Sequence, residues 1–178
     1  MASKSKEKGK RYERQVAEFL SKQFNTSFVR VPNSGAFVGG KNFTRRIQLT
    51  EGQTKTFKGD IIPPENWNIV IECKNYEKIS GGLPAVIKGN SVQLNKWIKE
   101  LRGDAGELEG RSQLDYHILF LKITRVGEWF IVPENISVVE DKIPYIQYWY
   151  EGNSYLILDI CYFDKFKNII LKRSCSGQ

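Results

Sequence analysis

The residues best suited to chemistry in this sequence lie between Gly59 and Lys74, where acids and a lysine flank two short apolar runs. The second run is rich in β-branched residues and predicts a strand over residues 68–74. Because alternate side chains of a strand share a face, Glu72 and Lys74 should point the same way and Cys73 to the opposite side. An acid and a lysine at this spacing can act together on one bound group.

A second acid is brought to the same place by a predicted hairpin. Asp60 opens the first apolar run, and Pro63-Pro64-Glu65-Asn66 has the composition of a turn between the two runs. Antiparallel pairing of the runs would bring Asp60 close to Glu72. Two interpretations stay open here. One is a surface ion pair of small energetic value between Glu72 and Lys74. The other is a site for a hard divalent cation such as Mg²⁺, with the lysine orienting or deprotonating a water.

A third acid lies on the first predicted helix, which begins at Lys10 and ends at Asn25. Apolar residues recur along this helix at helical spacing, and Glu13 projects nearly in line with Leu20 and Phe24. Since burial of an unpaired carboxylate is costly, Glu13 needs a cationic partner. That partner is either the base of a structural salt bridge or a metal ion.

Composition limits the chemistry that is available. The chain has 178 residues, of which 40% are hydrophobic and 26% are charged, and this composition predicts one globular domain. Its net charge of +7 favours an anionic partner, with nucleic acid preferred to an acidic membrane. Three scattered cysteines indicate a reducing cytoplasm, and the sole histidine, His117, excludes zinc sites and catalytic arrangements built on several histidines. No apolar stretch predicts a membrane span or a secretory signal. Hydrolytic chemistry would therefore depend on carboxylates and lysine.

The remaining patterns predict an α/β arrangement with a mixed sheet. A second helix is predicted over residues 90–102, after a polar segment at 75–89 that contains no predicted element. Further strands are predicted at residues 28–31, 116–124, 129–133, 145–150 and 155–163. Aromatic residues in the last two strands suit base stacking, sheet packing or a subunit interface.

Four motifs, KGKRYERQVAEFL, RVPNSGA, GDII and IECK, occur in an order that resembles the archaeal-type Holliday junction resolvases. These enzymes are a branch of the PD-(D/E)XK nuclease superfamily, and phages encode relatives of them. The resemblance covers about residues 8–125 and implies a restriction-endonuclease-like α/β core, a mixed central sheet flanked by helices. The implied organisation is a basic flexible arm over 1–10, a nuclease core over 11–134 with a basic insertion at 41–58, and a β-rich C-terminal extension over 135–178 packed on the same domain.

The resemblance also implies a role for each matching residue. The implied catalytic set is Glu13, Ser34, Asp60, Glu72 and Lys74. Of these, Glu13, Asp60 and Glu72, together with the backbone carbonyl of Cys73, would hold Mg²⁺, for which Mn²⁺ can substitute. Ser34 would bind a phosphate or a metal-bound water, and Lys74 would orient the attacking water or stabilise developing charge.

The expected substrate is branched DNA, specifically a four-way junction. Basic residues would hold its backbone without reading sequence, namely Lys10, Arg11, Arg14, Arg30, Lys41, Arg45, Arg46, Lys55 and Lys58. A four-way junction needs two matched nicks, so a symmetric homodimer is expected. The expected compartment is the cytoplasm of a bacterial, archaeal or phage-infected cell, without membrane association.

Two other functions stay open on the sequence. One is a nuclease of the same superfamily that acts on flaps, DNA ends or restriction-like sites. The other is a DNA-binding module that keeps the fold but has lost its activity. The basic insertion, which separates Ser34 and Asp60 more widely than is usual in the resolvases, leaves room for a different target.

Overall fold

A computed structural model of the chain describes residues 4–32, 59–65, 67, 69–106, 116–134 and 143–174. Its helices are α1 (Lys4–Phe24), α2 (Gly82–Ile87), α3 (Val92–Gly106) and α4 (Phe163–Ser174), with a short 3₁₀ turn at Ile160–Tyr162. Its strands are β1 (Val29–Arg30), β2 (Ile61–Ile62), β3 (Ile69–Tyr76), β4 (Tyr116–Ile123), β5 (Gly127–Pro133), β6 (Ile146–Tyr150) and β7 (Asn153–Asp159). No helix among these is long and apolar enough to cross a membrane.

The strands form one sheet in the order β1-β2-β3-β4-β5-β7-β6. Strands β3 and β4 pair in parallel, whereas the other neighbours are antiparallel. Helices α2 and α3 lie in the connection from β3 to β4, because parallel neighbours need a long crossover. The predicted mixed sheet with flanking helices is confirmed, and β6 and β7 extend that same sheet.

The two faces of the sheet are buried by different helices. Residues of β3 alternate between them: Ile71 and Cys73 pack with α1 and α4, whereas Val70 packs with α3. The α1 face is rich in phenylalanine, and Phe163 at the start of α4 contacts the rings of Phe120 and Phe130. Glu72 and Lys74 therefore belong to the face that α3 covers.

Several element boundaries differ from the sequence predictions. Helix α1 begins at Lys4, so residues 4–10 form its first turns instead of a flexible arm, and Lys8 Nζ donates to Thr124 Oγ1 at 2.7 Å. Helix α2 lies inside the segment predicted to be irregular, with Pro84 in its first turn where proline is tolerated. Helix α3 continues beyond residue 102, the predicted end, to Gly106.

The C-terminal region contains more helix than predicted. The two predicted strands form the hairpin of β6 and β7, but β7 ends at Asp159 instead of residue 163, and residues 163–174 add a helix to the predicted β-rich extension. The Asp159 carboxylate accepts a hydrogen bond from Cys161 N at 2.9 Å and thereby starts a 3₁₀ turn. Phe163 and Phe166, three residues apart, are then buried on one side of α4.

Candidate active site

The candidate site is built where β2 separates from β3. Ile61 pairs with Ile71, and Asp60 N donates to Ile71 O at 2.7 Å. The preceding residue, Gly59, has a φ of +70°, and a Cβ at that position would lie 2.5 Å from Ile71 O. Only glycine fits this turn, because a side chain would collide with backbone that cannot give way. The chain leaves β3 at this point, so the pairing of β2 with β3 stops at Ile61 and Ile71.

Asp60 occupies the place where β2 would have continued. Its side chain is buried, and Oδ2 accepts a hydrogen bond from Cys73 N at 2.9 Å, which replaces a missing ladder bond. The backbone of Asp60 is also held by β1, since Val31 N donates to Asp60 O at 2.9 Å. Because peptide groups alternate along a strand, the Cys73 carbonyl points to the same side of β3 as that of Ile71. The Asp60 carboxylate and the Cys73 carbonyl therefore face one sheet edge.

Glu72 and Lys74 lie on one face of β3, as the alternation of the sequence predicted. Lys74 Nζ donates to Glu72 Oε1 at 2.8 Å and lies 3.3 Å from Glu100 Oε2 on α3. Burial lowers the pKa of Lys74, but the Glu72, Glu100 and Asp60 carboxylates together more than offset this effect, so the net pKa is raised. Lys74 is therefore a fixed ammonium group, suited to orienting water or neutralising charge and poorly suited to taking up a proton.

Glu13 is buried on α1 and has the cationic partner that its position in the apolar stripe required. Arg30 Nε on β1 lies 2.5 Å from Glu13 Oε2. Burial raises the pKa of Glu13, the negative charge of Asp60 raises it further, and Arg30 and Lys10 oppose the shift. Glu13 thus lies within electrostatic range of Asp60, and an ion pair bridges α1 and β1 beside it.

The Cys73 thiol is influenced by the charges of the acids and of Lys74. Burial raises the pKa of its thiol, and the carboxylates of Asp60, Glu72 and Glu13 raise it further, whereas Lys74 lowers it. The three acids therefore lie within electrostatic range of Cys73, with Asp60 bonded to its N–H and Glu72 on the opposite face of β3. The structure brings together four of the five predicted catalytic residues, and the fifth, Ser34, lies outside the described residues.

Within the described ranges, no three Asp, Glu, Cys or His side chains form a group that could hold a metal ion. Each acid is engaged elsewhere: Glu13 by Arg30, Glu72 by Lys74 and Asp60 by a backbone N–H. A cage of three carboxylates is not what Mg²⁺ requires, since it is commonly bound by one or two carboxylates, waters and phosphate oxygens. The Asp60 carboxylate and the Cys73 carbonyl, both hard oxygen donors at one edge, fit such an ion.

The predicted DNA-binding residues divide between described and undescribed parts of the chain. Lys10, Arg11 and Arg14 lie on α1 around Glu13, with Arg11 and Arg14 exposed, and Arg30 reaches Glu13 from β1. The other five, Lys41, Arg45, Arg46, Lys55 and Lys58, lie outside the described residues. Of the α1 residues, Lys10 is the one that acts electrostatically on Glu13.

The structure adds one charged residue that the sequence reasoning missed. Glu100 on α3 approaches Lys74, although the two are separated by 26 positions in the sequence. Its position beside the buried stripe of Trp97 and Leu101 was the available signal, of the same kind that singled out Glu13 on α1. That signal places the carboxylate at the edge of a buried face without identifying the strand it meets.

Comparison with known proteins agrees with this geometry. Residues 4–172 match the model of a family described as "phage putative PDDEXK endonuclease", and the chain belongs to that family. It is also 32% identical over 149 residues to Protein D14 of Escherichia phage T5, an alignment that covers 80% of this chain and 79% of the relative. No solved structure gives a significant match.

The family membership confirms the predicted PD-(D/E)XK nuclease superfamily and the relationship to phage proteins. The sheet and its flanking helices are consistent with the restriction-endonuclease-like fold. Nucleases of this superfamily typically use divalent metal ions. The junction-resolving branch, the choice of Mg²⁺ and the individual site residues stay predictions.

Proposed function

We propose that this protein is a Mg²⁺-dependent endonuclease that hydrolyses phosphodiesters in branched DNA, with four-way junctions as its substrate. The observation that carries the proposal is the convergence of two acids and a lysine on β3 beside Ile61 of β2: Asp60 accepts from Cys73 N, and Lys74 donates to Glu72. This convergence occurs in a chain of a nuclease family. The proposal of a junction as the substrate, in preference to other DNA, rests on the four motifs that resemble those of the junction resolvases.

The metal would be held by Asp60, Glu72 and the Cys73 carbonyl, with waters completing its shell, while Glu13 stays paired with Arg30. When bound, Mg²⁺ or its substitute Mn²⁺ supplies an activated water and neutralises charge on the phosphate. The chain itself supplies fixed positions. The Cys73 N–H orients the Asp60 carboxylate, and Lys74 presents an ammonium group to the attacked phosphate. Ser34 would contact the phosphate or a water.

Basic residues would hold the DNA backbone next to these acids. Lys10 lies near the Glu13 carboxylate, so a phosphate bound there would lie close to the site, whereas Arg11 and Arg14 are exposed on α1 and would contact DNA farther from it. Arg30 can serve both as the partner of Glu13 and as a phosphate ligand, because a guanidinium offers several donors. Binding through such contacts follows backbone shape and charge and weakens as salt is raised.

A junction resolvase must make two nicks in symmetric positions, which a homodimer achieves with two copies of one site. We therefore propose a symmetric dimer in the active complex. The mass of the protein in solution, alone and with a junction, tests this part separately from the chemistry. A 1:1 complex that resolves junctions by paired nicks would contradict it.

The central test compares a synthetic four-way junction, a flap and a linear duplex of the same sequence, each with Mg²⁺. Cleavage of the junction by the wild type, lost in Asp60→Asn and in Lys74→Ala, is the expected result. Equal cleavage by wild type and both variants would contradict the assigned site. Equal cleavage of all three DNAs would keep the nuclease and remove the junction preference.

A nuclease with another target in the same superfamily is the second candidate, and it is equally consistent with the family membership. The basic segment of residues 41–58 favours it, since this segment separates Ser34 from Asp60 more widely than in the junction resolvases. Preferential cutting of the flap or of duplex ends would identify this candidate. A module without activity would instead bind junctions without Glu72-dependent binding of Mg²⁺ or Mn²⁺ in calorimetry.

A further inference from the structure

Lys74 has two acidic partners that come from different elements of the fold. Glu72 lies two residues away on β3, at 2.8 Å, whereas Glu100 reaches Lys74 from α3, at 3.3 Å. The side chain of Lys74 is 17% exposed and that of Glu100 is 43% exposed, so Glu100 approaches from the solvent side. Two carboxylates therefore hold one ammonium group from two directions.

Helix α3 gives Glu100 a fixed place above β3. Its neighbours Trp97, Ile98 and Leu101 are buried against the sheet, and the ring of Trp97 contacts Tyr76 of β3 with centroids 4.9 Å apart. The start of the helix is anchored by Ser91, whose hydroxyl accepts from Leu94 N at 3.3 Å. Because the backbone of α3 is held in this way, the Glu100 carboxylate stays within reach of Lys74.

The two partners differ in what a bound metal would do to them. A divalent cation at Glu72 competes with the ammonium group for the same carboxylate, and the two positive charges repel each other. Glu100 belongs to another element and stays available to Lys74. Without Glu100, the lysine would lose its anchor at the moment when its position beside the phosphate matters.

We propose that Glu100 is a positioning residue, which keeps the Lys74 ammonium group at the scissile phosphate while Glu72 is occupied by the metal. This inference deepens the proposed function and rests on it. It assigns to α3 a part in the chemistry that neither the motifs nor the predicted catalytic set contains. The competing interpretation is an ordinary surface pair of Glu100 with Lys96, which lies 4.0 Å away and is 73% exposed.

Steady-state kinetics on the best-cleaved DNA separate the two interpretations. Glu100→Gln should lower kcat by about 10- to 100-fold, as loss of a supporting partner commonly does, and leave KM within a factor of about two. Glu151→Gln is the matched control, since Glu151 also pairs at 3.3 Å with a cation of α3, Arg102, and is exposed. It should leave both constants unchanged. An unchanged kcat in Glu100→Gln would overturn the proposal.

A double-mutant cycle tests whether Glu100 acts through Lys74. In a Lys74→Ala background, adding Glu100→Gln should have no further effect on the residual rate, because the group it positions is gone. If Glu100→Gln lowers the rate by the same factor in the wild type and in the Lys74→Ala background, the assigned role is overturned. Equal thermal midpoints of Glu100→Gln and wild type would show that the loss of rate is not a loss of folded protein.

A measurement without DNA distinguishes failure of this inference from failure of the nuclease function. Lys74 can be labelled with an amine-reactive reagent and quantified by mass spectrometry, with and without Mg²⁺. In the wild type the labelling should stay low in both conditions, whereas in Glu100→Gln it should rise several-fold on addition of Mg²⁺. Labelling that is the same in both proteins at all Mg²⁺ concentrations would overturn the role of Glu100, even if DNA is cleaved. A wild type that cleaves no DNA would remove the proposed function and leave this result interpretable.

Discussion

The two ends of the sheet are built on different principles. At one end, β1 and β2 have two residues each, and the buried residues include two acids, Glu13 and Asp60. At the other end, β5, β7 and β6 have five to seven residues and bury aromatic and aliphatic side chains such as Phe130 and Leu158. One end thus concentrates buried charge, and the other concentrates apolar contact.

This difference separates stability from chemistry. Buried carboxylates destabilise a fold unless they are paired, so the β2 end needs Arg30, Lys74 and a backbone N–H to hold its acids. The apolar end has no such requirement and contributes the packing that keeps β3 and β4 in place. Substitutions at the two ends should therefore change different measured quantities.

The largest effect is expected on stability, at Phe163 of α4, which packs on Phe130 of the apolar end and on α1. Phe163 is fully buried and contacts the rings of Phe19, Phe24 and Phe120 as well as Phe130. Phe163→Ala should lower the free energy of unfolding by about 3 to 5 kcal/mol, because it removes an aromatic side chain and leaves a cavity. Urea denaturation measures this change. A loss below about 1 kcal/mol would contradict the assignment of this end as the stabilising one.

The next effect is expected in the charged end, on activity. Asp60→Asn should lower kcat on DNA by about 100- to 1,000-fold, because the charge that favours a metal is lost, while the amide oxygen can still accept from Cys73 N. Asp159→Asn is the matched control at the other end of the sheet. Asp159 also accepts a backbone N–H at 2.9 Å, from Cys161. Comparable losses of kcat in the two variants would remove the distinction between the ends.

Substitutions of two arginines test whether a buried ion pair contributes more to stability than an exposed one. Arg30→Gln should destabilise the protein by about 1 to 3 kcal/mol, because it deprives the buried Glu13 of its partner. Arg102→Gln breaks an exposed pair with Glu151 and should cost less than about 1 kcal/mol. Thermal unfolding at low and high salt checks both. Equal losses would show that the β1 end tolerates a lone carboxylate.

The smallest effect concerns pH. Burial raises the pKa of Tyr155 on β7 to about 12. Since the ordinary value is about 10, its stabilising contribution is fully present below pH 10 and is lost as pH rises towards 12. Tyr155→Phe should therefore flatten the fall in stability over this alkaline range. Parallel curves of thermal midpoint against pH for the two proteins would contradict this prediction.

Much of the arrangement near the acids could be predicted because it is local. The period of β3 places Glu72 and Lys74 on one face, and the turn between the two apolar runs brings Asp60 back to β3. The apolar stripe of α1 shows that Glu13 must be buried and paired, but not that its partner is Arg30. Helix α2 was missed because it is short, and α4 because its first residue, Phe163, was assigned to the predicted strand over residues 155–163.

Side-chain period and turn composition depend on neighbours within a few residues, so the sequence alone established the α/β class, the acid-x-lysine pair and the hairpin that supplies Asp60. Partners from remote segments depend on how helices pack on the sheet, which no local pattern encodes. Packing alone therefore decided that Arg30 neutralises Glu13, that Asp60 binds the backbone of Cys73, and that Glu100 of α3 shares Lys74 with Glu72.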